Sequence, residues 1–170
     1  MNSDDILNEN KDAYLCLIHP VRQGDRYRKE ISSVVALAPS VPDELIASMI
    51  FGPSWRERLL GLGLAMAKQP EIFIEPIFQS LRDPRGIAIV PACAVLATLT
   101  RRSLFPMTPS FAASFNRQIF DGEMGWATDK AMYLAGLSQE DVPGRGPNYG
   151  QIFEDHVDLY DWILKNSPPR

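Results

Sequence analysis

Two uncharged stretches constrain this chain more than anything else in it: "LLGLGLAMA" (59–67) and "GIAIVPACAVLATLT" (86–100). A helix that is apolar all round must be covered all round, by lipid or by protein. Neither stretch reaches the roughly 18 to 20 apolar residues that cross a bilayer, and Pro91 interrupts the second. The cover therefore has to come from the chain itself. With 170 residues, 45% of them apolar and 22% charged, it is long enough for one domain with a real core. Cys16 and Cys93 both lie in apolar runs and read as buried thiols, not as a disulfide framework. The opening "MNSDDILNENKD" is acidic and polar, unlike a secretory or transit segment. The expectation is a soluble, cytoplasmic protein with no membrane association.

Apolar residues recur at helical spacing almost everywhere, and no run alternates for long enough to build a sheet. The fold expected is all-α, with seven to nine helices. Asp4 and Asp5 suit the start of a first helix that turns Ile6, Tyr14, Leu15 and Ile18 inward. Residues 26–38 carry the β-branched content of a strand at the length of a helix, and helix is preferred. Pro42, Asp43 and Glu44 open the next helix, and Gly52-Pro53 ends it. Ser54 and Glu57 then have the spacing of a capping box at the head of the first uncharged stretch. Further helices are expected over 71–82, kinked at Pro76, and over 87–100, interrupted at Pro91. "SFAASFNRQIF" (110–120) reads as amphipathic, "DGEMG" breaks it, and "WATDKAMYLAGL" resumes. Residues 138–150 form a long loop before a last helix over 151–166.

Within this pattern lies a repeat. "MIFGPSWRERLLGLGLA" (49–65), "SLRDPRGIAIVPACAVLA" (80–97) and "IFDGEMGWATDKAMYLAGL" (119–137) share one layout. Each runs from a helix end through a Gly, Pro or Asp corner into a helix rich in Ala, Gly and Leu. The spacing is about 32 and then 38 residues, with Trp55 and Trp126 at matching places. Small side chains on the second helix of a pair let neighbouring backbones come close. In this layout residues 42–137 resemble the HEAT-type α-helical repeat, with Asp83 and Arg85 standing where that family has its Asp-then-Arg junction. Two departures are that Pro91 falls within the second helix of its unit and that the third unit has no arginine at its junction. The resemblance implies a short, irregular helical array. Residues 1–40 would cap one end and the helix at 151–166 the other. "SWRERLLGLGLA" also resembles a segment of small bacterial immunity-type proteins.

Charge is uneven along the chain. The net charge is −4, yet residues 121–161 hold nine acids against Lys130 and Arg145, a local balance of −7. Arginines dominate the earlier part. Arrays of this kind offer surfaces instead of deep pockets, so a binding role is expected, with no catalytic residue, metal or cofactor. The partner expected is another protein carrying a basic patch. It would be met by Asp121, Glu123, Asp129, Glu154, Asp155, Asp158 and Asp161, with Arg145 and Tyr149 in the long loop as further contacts. The immunity-type resemblance implies neutralisation of a cationic toxin or nuclease.

Alternatives remain open beside this one. Arg56, Arg58, Arg101 and Arg102 are candidates for binding an anion, the first two because they sit at a helix N-terminus. In the competing reading, Trp55 anchors the head of a buried helix and the two arginines pair with an acid of the preceding unit. Nucleic acid is the alternative partner, through Arg22, Arg26, Arg28, Lys29, Arg101 and Arg102, provided that these converge on one face. His156 stands among acids, but Ile152, His156, Leu159, Tyr160 and Ile163 share a stripe suited to the core. A small-molecule site between helices would require a pocket where Tyr14, Trp126 or Tyr149 meets convergent polar groups.

Overall fold

Proline, glycine and asparagine end helices at most of the corners read from the sequence. The computed structural model describes residues 2–20, 24–83, 88–143 and 149–168, and its regular elements there are all helical. In order they are α1 (Ser3–Glu9), α2 (Ala13–Ile18), α3 (Gly24–Leu37), α4 (Asp43–Ile50), α5 (Trp55–Lys68), α6 (Ile74–Arg82), α7 (Ile89–Arg101), α8 (Pro109–Ala113), α9 (Ile119–Leu134) and α10 (Tyr149–Asn166). These ten α-helices among the described residues exceed the seven to nine expected. The extra one arises because the first segment divides at Asn10. Its side-chain amide and its backbone N–H both donate to the carbonyl of Ile6, which closes α1. Leu15, expected inside, is exposed, and Tyr14 is half-buried beside Trp55.

α5 is the centre of the molecule. It touches α1, α2, α3, α4, α7 and α10, and every residue from Glu57 to Ala67 is buried. Its part-buried N-terminus uses the capping box read from the sequence. Ser54 Oγ accepts from the Glu57 N–H, and the Glu57 carboxylate accepts from the Ser54 N–H, both at 3.2 Å. Two glycines set how closely its neighbours approach. A Cβ on Gly61 would stand 2.8 Å from Ile50 N and 3.0 Å from Met49 C, so α4 is in backbone contact there. A Cβ on Gly63 would meet side chains, the methyl groups of Leu17 at 3.1 and 3.2 Å and Val34 Cγ1 at 3.4 Å. No helix among the described residues is long and apolar enough to cross a membrane.

The internal prolines do less than the sequence suggests. A 3-10 turn occupies Pro70–Phe73, and α6 starts only at Ile74, which puts Pro76 in its first turn. Likewise α7 starts at Ile89, so Pro91 is its third residue. The first N–H groups of a helix have no internal partner, and proline costs little there. The kink expected at Pro76 and the interruption expected at Pro91 are thus absent from α6 and α7. The expected amphipathic helix over 110–120 shrinks to the five residues of α8, and Phe78, Phe105, Phe111 and Phe115 pack together around it. The break comes earlier than "DGEMG". Phe120, Asp121 and Gly122 all take positive φ, at 50°, 53° and 83°, and the regular helix of α9 resumes at Glu123.

α10 packs against α7, α5, α9, α2 and α3, so it meets helices from both ends of the chain. Cys16 and Cys93 are buried, and burial, with Glu123 nearby, pushes the Cys93 thiol up to about 12. A neutral, enclosed thiol is not a nucleophile.

The glycine geometry separates two substitutions. Gly61→Ala drives a methyl group into the backbone of α4 and should destabilise by about 1–3 kcal/mol despite alanine's better helix propensity. At Gly63 the flexible Leu17 side chain can yield, and the propensity gain of about 1 kcal/mol offsets the crowding. Denaturant midpoints of the two variants should therefore differ clearly, with Gly63→Ala near the parent.

Candidate binding surface

The arginines that looked available for an anion are mostly engaged. Arg58 is 2% exposed and spends its guanidinium on the chain. Nε donates to the Gly52 carbonyl at 2.9 Å, and Nη1 donates to the carbonyls of Asp83 at 2.7 Å and Ser80 at 3.3 Å. Nη2 lies 3.4 Å from the Asp83 carboxylate. The arginine thus ties the α4–α5 corner to the C-terminal end of α6, where helical carbonyls lack partners and the dipole favours a cation. It pairs forward, with the following helix pair, and not with the preceding unit. Arg56 is exposed but stacked, its guanidinium carbon 5.2 Å from the Tyr14 ring centre and 5.0 Å from that of Trp55. Trp55 itself is half-buried, held edge-on by Tyr14 at 5.4 Å. Arg101 and Arg102 stand at the C-terminal end of α7, where the macrodipole opposes an anion. Arg102 is bound to Asp161 of α10, its Nε donating at 2.6 Å. Lys29 is exposed on α3. Arg22 and Arg85 lie outside the described residues, as do the side chains of Arg26 and Arg28.

Most of the acids are engaged too, and this could not be read from spacing alone. On α10, Glu154 accepts from Lys130 at 3.1 Å, Asp155 accepts from Gln151 at 3.0 Å, and Asp161 binds Arg102 and Lys165. Asp129 forms a two-pronged pair with Arg117. Glu123 accepts from the Tyr149 hydroxyl, so two expected site residues do meet. Asp121 sits exposed at the left-handed corner, and Asp158 is exposed on α10. Arg145 lies outside the described residues. The ends of that long loop are held by Trp126, whose indole N–H donates to the Pro143 carbonyl at 2.9 Å while its ring packs 4.7 Å from Tyr149.

Lys130 was passed over in the sequence, though it is one of only two bases in the acidic stretch. It is 2% exposed, donates to Asp141 at 2.8 Å and to Glu154 at 3.1 Å, and lies 5.2 Å from the Tyr133 ring centre. Burial disfavours its ammonium, but the two carboxylates outweigh this and hold its pKa above the ordinary lysine value. It fastens the segment after α9 to α10. That segment forms one wall of a groove of about 420 Å3 whose other walls are α8 and α9. Ala112, Met132, Leu137 and Val142 give the groove apolar surface, while Asp129, Glu140 and Asp141 give it charge. Its base Arg117 is taken by Asp129, and Leu137 is 43% exposed. Of these groove residues only Asp129 was singled out from the sequence.

His156 belongs to the core, as its stripe suggested, and is 1% exposed. Its Nδ1 lies 2.7 Å from the Ile152 carbonyl. Burial pulls its pKa down to about 4, against the opposing effects of the Ile152 and Leu17 carbonyls and Asp155, and with a small contribution from His19 in the same direction as burial. No group of three or more His, Cys, Asp or Glu among the described residues is arranged to hold a metal ion. No protein-family model, curated protein or solved structure matches the chain.

Two outcomes follow from these geometries. Arg58→Met should cost about 3–5 kcal/mol in denaturant unfolding, because two buried carbonyls and one part-buried carbonyl lose a charged donor. Asp83→Asn, at a 65% exposed side chain, should cost under about 1 kcal/mol. His156 has a folded pKa below its unfolded one, so the stability it contributes is complete above about pH 6.5 and is lost as pH falls toward 4. The loss is on the order of 3 kcal/mol. Unfolding curves across that window should be visibly flatter for His156→Phe than for the parent.

Proposed function

We propose that this chain is a non-catalytic protein-binding module, and that it receives a basic segment of its partner in the groove between α8, α9 and residues 137–142. The observation that carries this reading is the composition of the groove. An apolar floor bearing the exposed Leu137 is rimmed by Asp129, which is paired with Arg117, by Asp141, which shares Lys130 with Glu154, and by the exposed Glu140, so the acidic excess lies at Glu140 and Asp141. Partners of opposite potential associate faster and exclude wrong ones, while a buried apolar contact supplies affinity. Glu154 and Asp161 stand on α10, outside the groove and away from its apolar floor, and contribute less. Nucleic acid is the weaker alternative: of its candidate bases, Arg102 is bound to Asp161, Lys29 and Arg101 stand exposed on different helices, and Arg22 and the side chains of Arg26 and Arg28 lie outside the described residues.

Two finer points belong to the same proposal. The helix pairs within 42–137 are read as a degenerate HEAT-like set, supported by the close α4–α5 pair and by the small residues of α5 and α7. A cationic toxin or nuclease blocked in its own basic cleft is the partner suggested by the immunity-type resemblance, and a cytoplasmic location goes with it.

The test uses the native partner recovered on the wild-type chain and remeasured by surface binding. Glu140→Lys with Leu137→Asp, both at exposed positions, should weaken binding at least tenfold and steepen it the wrong way with salt. Asp155→Lys with Asp158→Lys should change it less than threefold. The reverse pattern would move the surface to α10, and indifference to both pairs would refute an acidic docking surface.

A further inference from the structure

Away from the groove, the molecule holds a cavity of about 120 Å3 among Ile18, His19, Val90, Glu123, Tyr149 and His156. Its walls come from the end of α2, the first turn of α7, the start of α9 and one side of α10. Ile18, Val90 and their neighbours Pro91 and Ile152 make most of the lining apolar. This is the meeting of Tyr149 with convergent polar groups that a small-molecule site requires.

The polar groups are matched in an unusual way: both inner ones accept and neither donates. His156 must carry its proton on Nδ1, because that nitrogen lies 2.7 Å from a carbonyl oxygen. Nε2 therefore presents a bare lone pair, and it has no hydrogen-bond partner although the side chain is almost fully buried. The carbonyl of Leu17 also lies beside the ring, but as an acceptor it brings no proton to Nε2. Glu123 takes the Tyr149 hydroxyl proton on one oxygen and keeps further lone pairs. A buried acceptor without a donor costs free energy, which a ligand that brings the donor recovers.

We infer that this cavity binds a small organic base: a compact apolar body carrying a protonated amine directed at Glu123 and His156 Nε2. The charge of the ammonium complements the carboxylate, and its several N–H groups supply both acceptors. Size sets the rest, since a dry cavity of about 150 Å3 holds benzene, so this one takes five or six non-hydrogen atoms. An anion of the same size is excluded by Glu123, and a hydrocarbon leaves both acceptors unpaired. The site is independent of the groove and does not rest on the protein-binding reading.

Cyclopentylamine is a suitable probe, with cyclopentanecarboxylate and cyclopentane as isosteric controls. Titrated into the 15N-labelled full chain, the amine should bind at roughly millimolar concentration and move the His156 Nε2 resonance saturably. Glu123→Gln, at a half-exposed position that keeps an acceptor for Tyr149, should weaken the amine at least tenfold, and the carboxylate should not bind. His156→Phe should abolish the site, and Glu140→Lys in the groove should leave it unchanged. Equal binding of cyclopentane and the amine, or equal binding of the amine by Glu123→Gln, would overturn the inference. So would the absence of a saturable Nε2 shift.

Discussion

A helix enclosed by protein on every side has no solvated face on which to place its polar groups, and α5 is such a helix from Glu57 to Ala67. Whatever is polar along it has to be satisfied inside, and this requirement organises the corner around it. The N-terminal amides are met by Ser54 and Glu57. The one guanidinium in the helix interior is met by three carbonyls drawn from two different corners. An isolated charge in such a place would be costly, but here the donors of Arg58 coincide with acceptors that a helix end leaves open. The arginine that drew attention as a possible ligand contact is a fastening between helix pairs. Gly61 completes the arrangement by letting the backbone of α4 come within touching distance.

The polarised charge of the chain resolves in a related manner. Its middle is rich in arginine and its last third in acid, and the fold brings the two together. Arg102 meets Asp161, Arg117 meets Asp129, and Lys130 holds Asp141 and Glu154. The two exposed pairs, Arg102–Asp161 and Arg117–Asp129, add little stability individually. Their larger consequence is for recognition, because each pair withdraws an acid from the surface that a partner would see. Glu140 keeps its charge exposed where the segment after α9 overhangs α8, beside exposed Leu137, and Asp158 does so on α10. The same clamp on Lys130 that neutralises two acids also holds that segment against α10, so the groove owes its shape to a buried lysine.

The corners and the helical class were legible because they depend on neighbours in sequence. Proline and glycine at 52–53, the Ser54–Glu57 spacing and the core stripe of α10 all express interactions within a turn or two. Helix starts near prolines were misplaced by two or three residues, enough to turn Pro76 and Pro91 from interior breakers into tolerated first-turn residues. The site was legible only in part. Asp129, Glu123 and Tyr149 were singled out, yet Glu140, Leu137 and Lys130 were not, since nothing local to them shows what lies across the groove. A lone lysine in an acidic stretch was the available signal.

By itself, then, the order of residues determined that the chain is helical, where it turns, and that two uncharged segments must lie inside. Those outcomes follow from backbone sterics, capping and the aversion of apolar surface to water, which act at short range. Tertiary structure alone decided which charges are spent on one another, which face keeps a free acid beside an apolar patch, and that a buried imidazole ends against an apolar cavity with an unused lone pair. These depend on contacts between residues 11 to 59 positions apart, from Lys130 with Asp141 to Arg102 with Asp161. Pairings at that range are settled by how whole helices pack, and no local pattern encodes them.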